Sequence, residues 1–288
     1  MTQPNHALAA ALTTVVLWAS AFPLIRTGLR AFDPVPLAAL RFAVAAVVML
    51  TWLAWRRPQL PSTRDGVRLL LCAAIGIALY NILLNSGEQS VPAGVASFII
   101  NTVPVITALL AAALLGERFR ARAWGGTAIS FVGVATIASM QPGDLSFGRG
   151  AMLVLAAACC QAVYFTLQRP LIAAYGAKVC AAIVVVFGAV CLAPWLPTAL
   201  VEARAADRSS LCAVAYLGLL PGAIGYATWA AAQAHFGSGR AANFLYLVPP
   251  TATGLAFALT GETPTVVTIL GGACAIAGVV IVNTRALR

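Results

Sequence analysis

Apolar residues run along this chain in long blocks that short groups of charged and turn-forming residues separate. Each block has about 20 residues, the length that an α-helix needs to cross the hydrocarbon core of a bilayer. Groups such as Arg56-Arg57-Pro58 mark the boundaries. The pattern predicts an all-α integral membrane protein with ten transmembrane helices, over residues 7–29, 35–55, 67–86, 92–115, 122–140, 149–169, 178–200, 210–234, 239–261 and 265–285.

The amino-acid composition supports a membrane protein. Apolar residues make up 61% of the 288 positions and charged residues 9%, whereas a soluble domain carries about 25% charged residues. A water-soluble enzyme, a disulfide scaffold and a disordered chain are therefore excluded. Ala19-Ser20-Ala21 has the form of a signal-peptide cleavage site, but no Lys or Arg precedes it and the apolar run continues to Leu29. We interpret this block as a retained first helix.

The net charge of +10 does not indicate nucleic-acid binding, because the basic residues are scattered between the apolar blocks rather than gathered in a stripe. The seven cysteines have no metal-binding spacing, so we interpret them as packing residues and expect no metal and no cofactor. Twelve basic residues flank the helices on the side of the N-terminus and five on the other side. This bias predicts that both termini are cytoplasmic.

The chain contains an internal repeat. A shift of 145 residues places Val103-Pro104 on Val248-Pro249 and Gly116-Glu117 on Gly261-Glu262, with 14 identities in the 47 positions from residue 92 to 138. We therefore predict two five-helix repeats, residues 1–145 and 146–288. Because five is odd, the repeats enter the membrane from opposite sides, which is the inverted-repeat architecture of secondary transporters, with a substrate site near the midplane.

Two segments of the sequence resemble a known family. The stretch Leu-Trp-Ala-Ser-Ala-Phe at residues 17–22 is similar to the opening motif of the EamA branch of the drug/metabolite transporter superfamily. The fourth predicted helix, with Ala-Gly-Val-Ala-Ser at 93–97, Val103-Pro104 and Leu-Leu-Gly-Glu-Arg at 114–118, resembles the same branch. The similarity covers nearly the whole chain and is greatest to the YddG-like bacterial exporters of aromatic and other apolar amino acids.

The resemblance implies a basket of ten helices in a bacterial inner membrane. Helices 1–4 and 6–9 would surround a central cavity, and helices 5 and 10 would pack together behind it. Gly126, Ser130 and Gly133 on helix 5 match Gly271, Ala275 and Gly278 on helix 10, and small residues at this spacing allow close helix approach. The chain is expected to be a monomer or a homodimer formed through these two helices.

Polar and aromatic residues inside the predicted helices are the candidates for substrate binding. A buried amide or hydroxyl needs a partner in a membrane, so such groups usually face the bundle or a wet cavity. The ordinary alternative is interhelical hydrogen bonding with interfacial aromatic residues. The predicted substrate-binding residues are Trp18, Tyr80, Asn81, Ser97, Asn101, Gln161, Tyr164, Tyr226, Trp229 and Tyr246.

Two prolines occupy matching positions in the repeats. Pro104 and Pro249 each remove one helical hydrogen bond and would free the carbonyl four residues earlier, at Ile100 and Leu245. Interrupted helices at corresponding positions indicate a transporter site or hinge. We predict hinges at both prolines, with a static kink as the alternative.

Charge within the membrane is scarce. All eight acidic residues lie at or near predicted helix ends, so the usual intramembrane proton relay is missing. Arg41 is the one basic residue well inside a helix, and it either faces the cavity or extends to the interface. With no fixed charge securely at the midplane, a zwitterion with an apolar side chain is the expected substrate, moving down its own gradient.

Three alternatives remain at the level of sequence. Proton-coupled export of a metabolite or drug could use Glu88 or His235. A membrane-embedded enzyme would need a nucleophile with a base, or a metal cluster, and both histidines lie at helix ends. A non-transporting scaffold would leave the matched prolines unexplained, and also the polar residues inside the predicted helices of both halves.

Overall fold

The computed structural model describes residues 4–91, 93–117, 119–138, 148–260 and 265–283. In this part of the chain the helices form ten consecutive runs: α1 Pro4–Gly28, α2 Pro34–Arg56, α3 Thr63–Glu88, α4 residues 93–115, α5 Ala121–Ala138, α6 Arg149–Tyr175, α7 Ala177–Ala205, α8 Arg208–Phe236, α9 residues 238–260 and α10 Val266–Asn283. Seven of them, α1–α4 and α6–α8, are long and apolar enough to cross a membrane. The chain is therefore an all-helical, multi-pass membrane protein, and the membrane crossings of α5, α9 and α10 remain predictions.

Most helices extend beyond the predicted boundaries. The predicted end of the sixth helix at residue 169 is wrong, because α6 continues through Pro170 to Tyr175. Proline removes one hydrogen bond from a helix but does not always end it. The turn to α7 is made at Gly176, whose φ of 85° lies in the left-handed region that glycine adopts readily.

Two helices contain a π-helical stretch that the periodicity did not predict. These stretches are Ala74–Leu79 in α3 and Gly218–Gly225 in α8, and the 145-residue shift places 74–79 on 219–224. A π-helical turn accommodates an extra residue and is frequent at functional sites. Tyr80 and Tyr226 follow the two stretches directly.

The helices that carry the matched prolines are irregular just before them. In α4, residues 101–102 separate the segments Ala93–Ile100 and Val103–Leu115. In α9, the 3₁₀ stretch Phe244–Leu247 precedes Val248–Thr260. The carbonyl of Leu245 was expected to be freed by Pro249, but it accepts the N–H of Val248 instead. The tighter 3₁₀ turn thus provides a donor for the carbonyl group that loses its helical partner because of the proline.

Helices α1–α4 and α6–α9 pack around one another, and α5 packs along α10. The small residues of α5 and α10 face each other: a Cβ atom on Gly133 would lie 2.5 Å from the carbonyl oxygen of Gly271. Ser130 Oγ donates to the carbonyl of Ala275 across the same contact at 3.0 Å. These faces are therefore buried within one chain, and a homodimer through α5 and α10 would have to use their outward apolar side chains.

Gly133→Ala is expected to destabilise the protein by about 1–3 kcal/mol, because the new methyl group must push α5 away from α10. Gly125→Ala on the same helix is the matched control, since nothing lies within 4 Å of its Cβ position. Both substitutions gain the same helix propensity, about 1 kcal/mol. Thermal unfolding in detergent measures the difference. An equal or higher melting temperature for Gly133→Ala would contradict the close contact.

Candidate functional site

A cavity open to solvent lies between the helices, with about 630 Å³ of empty space when its open mouth is included. Its walls come from α1–α4 and from α6, α8 and α9. The lining residues are Trp18, Ala21, Phe22, Ile25, Arg41, Tyr80, Asn81, Leu84, Ile100, Asn101, Val103, Gln161, Tyr226, Leu245 and Val248. Both halves of the sequence therefore contribute to one binding space.

Six of the ten predicted substrate-binding residues line this cavity: Trp18, Tyr80, Asn81, Asn101, Gln161 and Tyr226. The other four, Ser97, Tyr164, Trp229 and Tyr246, are buried in the surrounding helices and are absent from the lining. The polar and aromatic residues inside the predicted helices thus identified the helices that face the cavity. Their positions in the sequence alone did not distinguish a residue that lines the cavity from one packed behind it. Their role in binding remains a prediction.

One end of the cavity is closed by stacked aromatic rings, which we call the aromatic floor: Trp18, Tyr164, Phe165, Tyr226 and Trp229. The ring centroids of Phe165 and Trp229 are 4.2 Å apart, and Trp18 stacks parallel to Phe165 at 6.1 Å. Trp18 Nε1 donates to the carbonyl of Pro221 at 3.3 Å, within the π-helical stretch of α8. The indole is therefore held from two sides and presents a rigid apolar surface to a ligand.

Behind the floor lies a buried polar layer that ties α6, α8 and α9 together. Gln233 Nε2 and Ser238 Oγ both donate to the carbonyl of Phe165, each at 2.9 Å. Gln168 Nε2 donates to Gln233 Oε1. All of these groups are fully buried. Because buried hydrogen bonds between helices resist separation, this layer closes the bundle on the membrane face at which α1 begins, which we call the N-terminal face.

Glu117 adds a link between the two halves at the same face. Its Oε1 accepts the backbone N–H of Ser238 at 3.0 Å and its Oε2 accepts that of Gly239 at 3.2 Å. These N–H groups begin α9, where the helix dipole favours a negative charge. Gly116, with φ of 66°, ends α4 and turns the chain toward this position. The carboxylate therefore anchors the start of α9. The matching residue in the second repeat, Glu262, lies outside the described residues.

Arg41 faces the cavity. Only 5% of its surface is exposed, and its Nε and Nη1 atoms have no hydrogen-bond partner within the described ranges. Of the two directions left open by the sequence, the side chain takes the one toward the cavity. The side chain stays inside the bundle beside the ring of Phe42, whose centroid is 5.1 Å from the guanidinium carbon.

Glu88 ends α3 as predicted, but it is 1% exposed, and both of its carboxylate oxygens lack a hydrogen-bond partner in the part of the chain described. The sequence could not show this burial, because a residue at a helix end is normally near water. Arg26 and Arg41 are the cations whose field acts on this carboxylate. Neither forms an ion pair with it within 4 Å among the described residues.

The amide side chains of the cavity are oriented by their own helices. Asn81 Nδ2 donates to the carbonyl of Ile77 at 2.7 Å, and Asn101 Nδ2 donates to that of Ser97 at 2.6 Å. Asn101 Oδ1 and Gln161 Oε1 are buried acceptors without a donor among the residues described. The cavity thus combines aromatic surface, a cationic donor and free acceptors, which suits a small ligand with both polar and apolar parts.

A multi-pass helical chain whose two halves both line a cavity has the general form that a membrane transporter needs. The sequence matches the model of the EamA-like transporter family twice, over residues 6–139 and 148–284. The chain belongs to the EamA-like transporter family.

Several proteins are similar over nearly the full length. A protein of Streptantibioticus cattleyicolor named "Probable terminal-alkyne amino-acid exporter" is 40% identical over 283 residues, 98% of this chain and 95% of that protein. The "Uncharacterized transporter YdfC" of Bacillus subtilis is 34% identical, covering 91% of this chain and 86% of its own. The "Probable amino-acid metabolite efflux pump" of Salmonella typhimurium is 28% identical, covering 94% and 92%.

A solved crystal structure superposes on this chain with a TM-score of 0.79. The sequences are 20% identical, and the match covers 99% of this chain and 98% of the other. The similarity shows that the fold is shared with a known structure.

Proposed function

We propose that the protein is an inner-membrane secondary transporter that exports small apolar or aromatic amino acids, or similar neutral metabolites, by alternating access. The observation that carries the proposal is the lining of the cavity, with Trp18, Tyr80 and Tyr226 on its walls and unpaired acceptors on the lining residues Asn101 and Gln161. Aromatic faces hold apolar side chains and can also contact an ammonium group. Two relatives carry names that describe them as amino-acid exporters or efflux pumps, which supports the same substrate class.

The proposed architecture is ten membrane-crossing helices in two inverted repeats, residues 1–145 and 146–288. The lining residues of α1, α2 and α3 lie in the halves of those helices away from the N-terminal face. The floor residues Tyr164, Phe165 and Trp229 lie in the halves of α6 and α8 nearer that face. This arrangement corresponds to one end state of alternating access, closed on the N-terminal face by Glu117 and the buried polar layer. The opposite end state would close the cavity at the other face.

The loop charges support cytoplasmic termini. Reporter fusions after residues 62 and 288 are expected to be cytoplasmic, and fusions after residues 88 and 145 periplasmic. Paired alkaline phosphatase and green fluorescent protein fusions measure this directly. A periplasmic C-terminus would contradict both the orientation and the number of crossings.

The two proline breaks are the proposed hinges. Replacing both Pro104 and Pro249 by alanine is expected to slow transport about tenfold while binding changes less, because the added N–H groups favour a continuous, stiffer helix. Pro170→Ala is the control, since Pro170 lies inside α6 without a break. Flux in proteoliposomes and ligand binding in detergent separate the two effects. Unchanged flux in the double variant would leave the prolines as static kinks.

Flux assays test the function itself. The purified protein in proteoliposomes is expected to move at least one of labelled phenylalanine, tryptophan, threonine and methionine down its gradient, faster than protein-free vesicles do. No movement of any of the four would overturn the substrate class. The same assay with and without a pH gradient tests the energy source, for which we propose facilitated movement.

Proton-coupled export is the second candidate, favoured by the buried, unpaired carboxyl group of Glu88. Intramembrane carboxyl groups are common proton carriers. Uphill accumulation driven by a pH gradient, lost in Glu88→Gln, would establish this mode. Flux that ignores the gradient in both proteins supports the facilitated one.

A further inference from the structure

Arg41 is a desolvated cation that the fold leaves without a partner. It lies seven residues into α2, about 10 Å from the first turn at Pro34. Arg41 is a lining residue of the cavity, and two of the three nitrogen atoms of its guanidinium group are buried without an acceptor within the described part of the chain. Burying an unpaired guanidinium is costly. A planar array of donors with free positions fits the two oxygens of a carboxylate.

The buried acidic residue Glu88 does not supply the missing hydrogen-bond acceptors of Arg41. Glu88 acts on Arg41 through its field, but both of its oxygens are themselves without hydrogen bonds among the described residues, so the two groups are not joined directly. The hydroxyl of Tyr226 lies near the carbonyl of Gly76, at 3.5 Å. The ring of Phe42 lies against the guanidinium group, and Tyr80 and Tyr226 are the other ionisable groups close enough to act on it.

Complementary groups lie elsewhere in the same cavity. Asn101 uses its Nδ2 on the carbonyl of Ser97 and keeps Oδ1 free as an acceptor. Gln161 contributes a second unpaired acceptor, Oε1, from the other half of the chain. The remaining wall is apolar, with Phe22, Leu84 and Val248 among its residues. The residues that line the cavity therefore carry unpaired donors on α2, unpaired acceptors on α4 and α6, and apolar side chains.

We infer that Arg41 binds the α-carboxylate of the transported amino acid, while Asn101 and Gln161 accept hydrogen bonds from its ammonium group. This inference rests on the proposed function and narrows it, because a free carboxylate becomes a requirement for recognition. Amines that lack a carboxylate meet a positive charge with nothing to offset it. The guanidinium group of Arg41 thus both binds the substrate and excludes these amines.

Competition by matched analogues tests the requirement. Uptake of the best-transported of the four amino acids is measured against the same compound, its amide, its decarboxylated amine and its deaminated acid. Wild-type protein is expected to bind the amide and the amine at least tenfold more weakly than the amino acid. Equal inhibition by amino acid and amide would overturn the carboxylate anchor and leave the transport function standing. If none of the four amino acids is moved, the proposed function fails first.

Variants assign the recognition to particular residues. Arg41→Met is expected to weaken binding of the amino acid about tenfold or more. The ratio of amide to amino-acid affinity should then come close to one. Arg41→Lys is expected to keep part of the preference for the amino acid. A general loss of folding would weaken both compounds alike and leave their ratio unchanged. Arg26→Met is the control, because Arg26 is exposed near the same end of the bundle and does not line the cavity. An Arg41→Met protein that retains the wild-type ratio would contradict the assignment.

The acceptor end has its own measurement. Gln161→Met keeps the length of the side chain and removes the free acceptor. This variant is expected to bind the amino acid severalfold more weakly. The deaminated acid, which lacks the ammonium group, is expected to bind as it does to the wild type. Equal weakening of both compounds would exclude Gln161 as an ammonium ligand.

Discussion

Replacing Trp18 by alanine is expected to reduce amino-acid flux at least tenfold and to lower the free energy of unfolding by about 3 kcal/mol. The indole contacts Phe165, Tyr226 and Trp229 in the aromatic floor. Truncating a packed tryptophan to alanine typically costs 3–5 kcal/mol, and Trp18 lies at the lower end because one side of it borders the cavity. The loss of flux exceeds what stability alone would cause, since the substrate also loses its apolar platform.

Two matched variants separate these contributions. Trp18→Phe keeps a ring in place but loses the bond from Nε1 to the carbonyl of Pro221, so an intermediate flux is expected. Trp55→Ala removes an indole that is 76% exposed on α2 and is expected to transport as the wild type does. Proteoliposome flux is normalised to folded protein by size-exclusion chromatography. Wild-type flux in Trp18→Ala would remove this residue from the site.

Replacing Glu117 by alanine is expected to open the N-terminal face. Its carboxylate holds the first two N–H groups of α9, and carboxylate capping of a helix is worth about 1–2 kcal/mol. Since 1.4 kcal/mol corresponds to a factor of ten, labelling at this face should accelerate about tenfold. The readout is modification of Ala241→Cys, a fully buried position in the first turn of α9, by a thiol reagent that does not cross the membrane. The seven native cysteines are replaced first.

Asp207 provides the control for this experiment. It caps α8 in the same way, accepting the backbone N–H of Ser209 at 3.0 Å, but within its own loop. Hydrogen bonds from Ser209 and Ser210 lower its pKa to about 2, so this cap stays charged above that pH and is lost only as the pH falls toward 2. Asp207→Ala should leave the labelling of residue 241 unchanged. Equal labelling in Glu117→Ala and its parent would show that the buried polar layer closes this face alone.

Helix positions and the general nature of the site could be predicted from the sequence. Apolar blocks of membrane-spanning length identified the helices because hydrocarbon imposes one strong requirement on every residue of a span. Asn81 and Gln161 were recognised as site candidates for the same reason, since an amide in such a block needs a polar environment. Trp229 satisfied the same criteria yet lies behind the lining, where it packs on Phe165.

The π-helical stretches are the clearest feature that the sequence did not reveal. One additional residue per turn changes the phase of a helix by roughly 100°, so side-chain directions beyond it cannot be read from a regular period. In α8 this affects every residue after Gly225, including Tyr226 and Trp229. Pro221 was a local signal of irregularity, whereas the corresponding stretch in α3 contains no proline.

The sequence by itself determined that this chain is a helical membrane protein, and its motifs identified the transporter family to which it belongs. Only the tertiary structure decided the direction of Arg41 and the burial of Glu88. Hydropathy along the chain measures how well each residue tolerates lipid, but it contains no information on which neighbouring helix supplies a partner. The electrostatics of the cavity therefore depend on how residues from separate helices meet, and that arrangement exists only in the folded protein.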